Sequence, residues 1–341
     1  MNVRVEAANE NQGILDVFTE KVRGRGLSLV LPEGRDARIV QAARQIKDQD
    51  LAEPIVLGKP DKVASAAQEA CVDLAGITVI DPRTSDRLDA YASAYVGDRE
   101  DLSVKVARRM VAKSLFFGGM MVKTGDAQAM VAGAASATAT VIQAGTLTVG
   151  LAEGIDTVSS YFLMIIPDFQ GQRDKPFLYA DCAVNINPTA QQLADIALAS
   201  AQSGASLLPD EPRVAMLSYS TRDSAAGPSV EKVREALSLV REKAPELAVD
   251  GEFQADSAVI PKVAAKKVKD GSTVAGQANV LIFPDLDAGN IAYKLTQYMA
   301  NAQAIGPLLQ GFGRPIADLS RGASVSDIVT TSVITLALVS S

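Results

Sequence analysis

The chain has 341 residues, 48% of them hydrophobic and 21% charged, which is more than a single core usually holds, so two domains are expected. Its formal net charge of −7 would repel phosphate-rich surfaces, which argues against nucleic-acid and membrane-surface partners. Two cysteines, Cys71 and Cys182, and no histidine leave neither a disulfide framework nor the usual zinc ligand sets.

The opening MNVRVEAANENQGILDVF lacks a basic-then-apolar signal pattern, and no run of about 18 apolar residues follows. A soluble cytoplasmic protein is therefore expected. LSLVLPEG, from Leu27 to Gly34, reads as a strand running into a turn. After it, DARIVQAARQIKDQD carries Ile39, Ala42, Ala43 and Ile46 at helical spacing. EPIVLG, KPDKVASAAQEA and ITVIDP continue as strand, helix and strand. AQAMVAG, RVAMLSYS and NVLIFPD repeat the theme, each a short apolar run ending in small or polar residues before a helix. This alternation predicts α/β/α layers with mostly parallel sheets.

The stretch from Gly150 to Asn185 reads instead as a hairpin-like excursion and marks where a second domain begins. KVAAKKVKD, from Lys262 to Asp270, reads as a solvated helix face. The apolar end, DIVTTSVITLALVSS, is expected to pack on the first domain. The expected division is residues 1–153 with 308–341, carrying the C-terminal helix, and residues 154–307, carrying ligand loops.

Neither a Walker loop nor a G-x-G-x-x-G fingerprint is present. Three loops of small and polar residues precede helices: GAASATAT (Gly133 to Thr140), SYSTRDSAAGPS (Ser218 to Ser229) and PDLDAGN (Pro284 to Asn290). At strand ends such loops offer backbone amides to anions, although any tight strand-to-helix turn has the same composition. In DLSRGASVSDIV, Ser324 and Asp327 have the spacing of a capping box. A second use of the same residues is chemical. Arg321 supplies a fixed cation, Gly322 a sharp turn, Ser320 a hydroxyl, and Asp327 the carboxylate that would move a proton in a chain without histidine. Glu252 and Asp256 in DGEFQAD would share a face on one helix and could bind a hard metal ion, but with no further clustered carboxylate a polar loop leading into a helix is the expectation.

These residues, together with LPEGRDARIVQAA, YADCAVNINPTAQQLADIA, VAGQANVLIFPDLDAGNIAYK and GPLLQG, resemble the phosphate acetyltransferase family over nearly the whole chain. The resemblance implies two α/β domains of the isocitrate dehydrogenase type with the active site between them, commonly as a homodimer. It implies transfer of an acetyl group between coenzyme A and inorganic phosphate by direct attack, with coenzyme A as substrate and no permanently bound cofactor. Asp327 falls at the family's general base, Ser320 at the hydroxyl that steadies the thiolate or oxyanion, and Arg321 at the arginine that neutralises phosphate. Asp327 is then expected to be partly desolvated in the closed cleft. Substrate-binding candidates are Gly133 and Ala134 in the first loop, Ser220, Thr221 and Ser224 in the second, and Asn290 in the third. The resemblance adds Gln143, Lys294, Tyr298 and Gln310.

The chain also departs from the family. Gln143 and Tyr298 stand where arginines are usual, YVGDRED with Arg99 replaces an arginine-bearing stretch, and Asp223 replaces a loop glycine. Two lost charged hydrogen bonds of about 1.5–3 kcal/mol each would weaken anion binding on the order of a hundredfold or more. Arg222 and Arg314 are candidate replacements. The departures leave two alternatives to ordinary acetyl transfer: a weakened or non-catalytic relative with a structural, sensing or partner-binding role, and an acyltransferase for a different acceptor.

Overall fold

The structure is a computed structural model that describes residues 13–97, 99 and 101–339. Most of the opening segment, Asp98 and Glu100 of YVGDRED, and Ser340 and Ser341 of the apolar end lie outside the described residues. In chain order, α1 (Ile14–Val22) leads to β1 (Ser28–Leu31), α2 (Ala37–Asp48), β2 (Glu53–Leu57), α3 (Pro60–Glu69) and β3 (Thr78–Ile80). Next come α4 (Leu88–Val96), α5 (Val104–Val111), α6 (Ser114–Thr124), β4 (Ala129–Ala132) and α7 (Thr138–Thr148). There follow β5 (Ser159–Phe169), β6 (Gln172–Ala180), α8 (Ala190–Leu207), β7 (Val214–Leu217), α9 (Pro228–Lys243) and β8 (Val249–Phe253). The remainder is α10 (Ala255–Val259), α11 (Pro261–Lys267), β9 (Val280–Ile282), α12 (Leu286–Met299), β10 (Gln303–Gln310), β11 (Ile316–Asp318) and α13 (Val325–Ala337).

The described residues form two compact units. A terminal unit holds Leu15–Leu151 with the chain from Phe312 onward, and a central unit holds Ala152–Gly311 together with Gly13 and Ile14. In the terminal unit a five-stranded sheet runs β11-β4-β1-β2-β3, with every neighbouring pair parallel. All four residues of β4 and the last three of β1 are buried, as expected of parallel strands covered on both faces. The chain steps outward from β1 to β3 and then crosses to β4 on the other side of β1. That reversal puts a topological switch point at the carboxyl ends of β1 and β4.

Helix α6 is buried from Phe116 to Val122. It lies close to α7 because Gly119 has no Cβ, which would collide there with Thr148. The C-terminal helix α13 buries Ile328, Val333, Ile334 and Leu336 and packs on α2 and β4.

In the central unit a six-stranded sheet runs β10-β5-β6-β9-β7-β8. The excursion after Gly150 includes an antiparallel hairpin, β5 paired with β6 from Tyr161↔Ala180 to Phe169↔Gln172, while β6, β9, β7 and β8 run parallel. The expected polar loop leading into a helix at DGEFQAD is met in its helix and corrected in its loop, which is a strand. DGEF belongs to β8 and Asp256 opens the short α10, so Glu252 and Asp256 share no helix face. Pairing with β7 makes Val249–Phe253 a strand although Asp250, Gly251 and Glu252 are poor strand formers. No described helix is long and apolar enough to cross a membrane.

Candidate active site

Three loops leave the carboxyl edge of the terminal sheet side by side, after β1, β4 and β11. The first carries Glu33, which is only 6% exposed. Its Oε2 accepts the amide protons of Gly133 at 2.9 Å and Ala134 at 2.8 Å, and Oε1 accepts that of Ala135 at 3.1 Å. Gly133 is at φ +114°, and a Cβ there would run into Asp318 and the Leu319 main chain. The expectation that the Gly133 and Ala134 amides hold a ligand anion is thereby corrected. The loop does form an anion nest, but a protein carboxylate fills it.

Arg38, in the first turn of α2, ties the three loops together. Its Nε and Nη2 donate to the two carboxylate oxygens of Asp36 at 3.0 and 2.7 Å. Nη2 also donates to the Ala134 carbonyl at 3.0 Å, and Nη1 to the carbonyls of Arg321 at 2.9 Å and Ala323 at 2.8 Å. Asp36 in turn caps α2 by accepting the Arg38 amide.

The third loop carries the residues expected to do the chemistry. Ser320, Arg321 and Asp327 are all exposed. Ser320 Oγ accepts the Gly322 amide at 3.3 Å, and the Ser320 carbonyl accepts that of Ala323 at 2.9 Å, which closes the turn. Among the described residues the Arg321 guanidinium makes no ion pair. Asp327 stands at the third position of α13, where its Oδ2 accepts the Ser324 amide at 2.9 Å and the Ser324 hydroxyl at 2.8 Å.

The capping box is therefore real, and Asp327 is exposed in this structure. The helix turns Ile328 inward and leaves Asp327 outward. A second carboxylate, Asp318, ends β11 just before the loop and is 2% exposed. Its Oδ2 accepts from Thr138 Oγ1, and among the described residues its Oδ1 has no partner. Burial pushes its carboxyl up to about 6, Thr138 opposes that rise, and the nearby charge of Glu33 adds to it.

In the central unit the same construction recurs. Asp181, just past β6, is buried and accepts the amides of Ala183, Val184 and Asn185. Glu252, in β8, accepts the Ser220 hydroxyl at 2.8 Å, the Asp223 amide at 3.0 Å and two donors of Arg234 at 3.0 and 3.1 Å. Burial works against that charge, but Arg234 and Ser220 outweigh it and hold the carboxyl down at about 2.

Several substrate candidates are thus engaged inside the protein. Ser220 and Thr221 are buried, Thr221 Oγ1 accepting from Gln254 N at 2.8 Å, while Ser224 is exposed and its Oγ accepts the Thr221 amide at 2.9 Å. Gln310 is buried in β10 and bonded to Ser159, Ser200 and Ser203, so it organises the core rather than facing a ligand. Asn290 donates to the Cys182 carbonyl at 3.1 Å. Gln143, Lys294 and Tyr298 are exposed.

The candidate arginines also sort themselves. Arg222 is paired with Asp250 and Asp270, and Arg99 donates to the Tyr95 and Leu147 carbonyls, so neither offers a free guanidinium. Arg314 remains exposed. Sequence reading missed Glu33, Arg38 and Asp318. The only local signal was an acidic residue at the end of an apolar run, Glu33 in LSLVLPEG and Asp318 in the stretch before Leu319; nothing local marked Arg38.

A switch-point site with a free arginine, on an α/β scaffold of two units, defines a transferase of small acyl groups once the known proteins are set beside it. A model of the phosphate acetyl/butaryl transferase family matches residues 14–336. A phosphate acetyltransferase of Acetivibrio thermocellus is 43% identical over 323 residues, 94% of this chain and 96% of that protein. Two solved structures are superposable. The EutD phosphotransacetylase from Staphylococcus aureus has a TM-score of 0.87 at 39% identity, covering 95% of this chain and 97% of its own. A phosphotransacetylase from Streptococcus pyogenes has a TM-score of 0.88 at the same identity and coverage. The chain belongs to the phosphate acetyl/butaryl transferase family and is an acyltransferase.

Proposed function

We propose that this protein moves an acetyl or short acyl group between coenzyme A and inorganic phosphate. Coenzyme A enters and leaves as a substrate, and the protein works as a cytoplasmic homodimer. The observation that carries the assignment is the single segment from the end of β11 into the first turn of α13. It presents Ser320, an unpaired Arg321 and Asp327 to solvent.

A thiol of ordinary acidity, near pKa 8.5, is mostly protonated at neutral pH and gains from a base beside it. Asp327 takes that proton. The thiolate of coenzyme A attacks the carbonyl carbon of acetyl phosphate, forming the C–S bond. The tetrahedral intermediate collapses by breaking the C–O bond to phosphorus, and phosphate leaves with the electron pair. Ser320 donates to the thiolate or to the developing oxyanion, and Arg321 offsets the charge of the phosphate. The amino end of α13 adds a partial positive charge on the same side. In the reverse direction phosphate attacks acetyl-CoA and Asp327 returns the proton to the departing sulfur.

Purified protein given acetyl-CoA and phosphate is expected to form acetyl phosphate. Asp327→Asn should lower kcat by about 10²–10⁴-fold with secondary structure unchanged by circular dichroism. No acetyl phosphate, even at high millimolar phosphate, would refute the assignment. One observation favours a weakened or non-catalytic relative: Asp327 is exposed and already engaged as a cap. Turnover at low millimolar phosphate that depends on Asp327 removes that reading.

A further inference from the structure

We propose that Arg38 is the positioning residue of this site, fixing the main chain that carries Arg321 without touching substrate. The inference rests on the proposed reading of Arg321 as the phosphate ligand. A guanidinium has five N–H groups, and five hydrogen bonds are made here, so the donor set is saturated within the protein. Two of the five reach the carbonyls of Arg321 and Ala323, which bracket Gly322. Between those carbonyls the turn has little else to hold it. Its other bonds are one amide to the Ser320 carbonyl at 2.9 Å and one to Ser320 Oγ at 3.3 Å.

The base of the clamp is rigid. Asp36 holds Nε and Nη2 in a fork and is itself anchored as the cap of α2. The third arm, to the Ala134 carbonyl, locks the loop whose amides are bound by Glu33. One side chain thereby sets the relative positions of the loops after β1, β4 and β11. The Arg321 side chain is left free while its backbone is held, which suits a residue that must meet an incoming anion at a defined place. Lysine would supply three donors from one point and cannot reproduce this planar fork.

The test compares Arg38→Lys, Arg38→Gln, Asp36→Asn and Arg321→Lys with wild type, all as full chains. KM for phosphate, KM for acetyl-CoA, kcat and Tm are measured for each. Both Arg38 variants should raise KM for phosphate tenfold to a hundredfold, by roughly the penalty of a small misplacement, with KM for acetyl-CoA within about twofold. Arg321→Lys should show the same split. A staple that only stabilises the fold would lower Tm and leave both KM values alone.

An unchanged phosphate KM in Arg38→Lys, beside a raised one in Arg321→Lys, overturns the positioning role and leaves the reading of Arg321 standing. An unchanged phosphate KM in Arg321→Lys defeats the reading of Arg321, and the positioning role falls with it. If the Arg38 variants do not fold, Asp36→Asn decides. It keeps a competent helix cap but loosens the fork. A phosphate KM raised at wild-type Tm supports the inference, and an unchanged one overturns it.

Discussion

Asp318 holds a buried carboxyl whose charge burial opposes. A carboxyl raised from 3.8 to about 6 binds a proton more tightly in the folded chain than in the unfolded one. Keeping it ionised at pH 7 therefore costs about 3 kcal/mol of stability, a penalty absent below about pH 4 that grows as pH rises to about 6. Asp318→Asn should remove that dependence. The Tm difference, variant minus wild type, is expected to climb between pH 4 and 6 and level off above. A difference that stays flat across that range would show that Asp318 is not held against its charge. Glu252 has the opposite sign. Its depressed carboxyl stabilises the fold above about pH 4.5, and that stability is lost as pH falls toward 2.

The start of α13 shows how one element can serve two purposes. Ser324 and Asp327 satisfy helix-end groups that would otherwise be unpaired, and Asp327 is also the proposed base. Ser324→Ala is expected to cost about 1 kcal/mol in urea unfolding. It should also lower kcat with both KM values little changed, because the hydroxyl that orients Asp327 is gone. Wild-type kcat in that variant would separate the cap from the chemistry. At this scale the residues were informative: the strand at Leu27–Gly34, the helix after it and the hairpin after Gly150 are all present. DGEFQAD was read as a polar loop before a helix because Asp250, Gly251 and Glu252 are poor strand formers; the helix follows, but pairing with β7 makes those residues a strand.

Across the whole chain, each unit has its own buried sheet and its own core. Val30 in β1 and Leu178 in β6 are both fully buried. Val30→Ala should cost about 1–3 kcal/mol and Leu178→Ala about 2–5 kcal/mol. The double variant is expected to lose the sum to within about 0.5 kcal/mol, as sites without shared partners do. A marked excess or shortfall in denaturant melts would mean that the two cores are energetically coupled.

Periodicity, turn chemistry and recognisable motifs are local properties, and they were enough to read the α/β alternation, the strand-end loops and the family from the residues alone. The segment Ser320–Asp327 was legible for the same reason, since its spacing is contained in one turn and one helix start. The order of strands about β1, and with it the switch point, came only from the tertiary structure. So did Glu33, whose partners lie 100 to 102 residues away, and Arg38, which reaches the Arg321 carbonyl across 283 residues. Buried amides and carbonyls must find partners wherever folding brings them together, and no local pattern records which distant side chain will supply them.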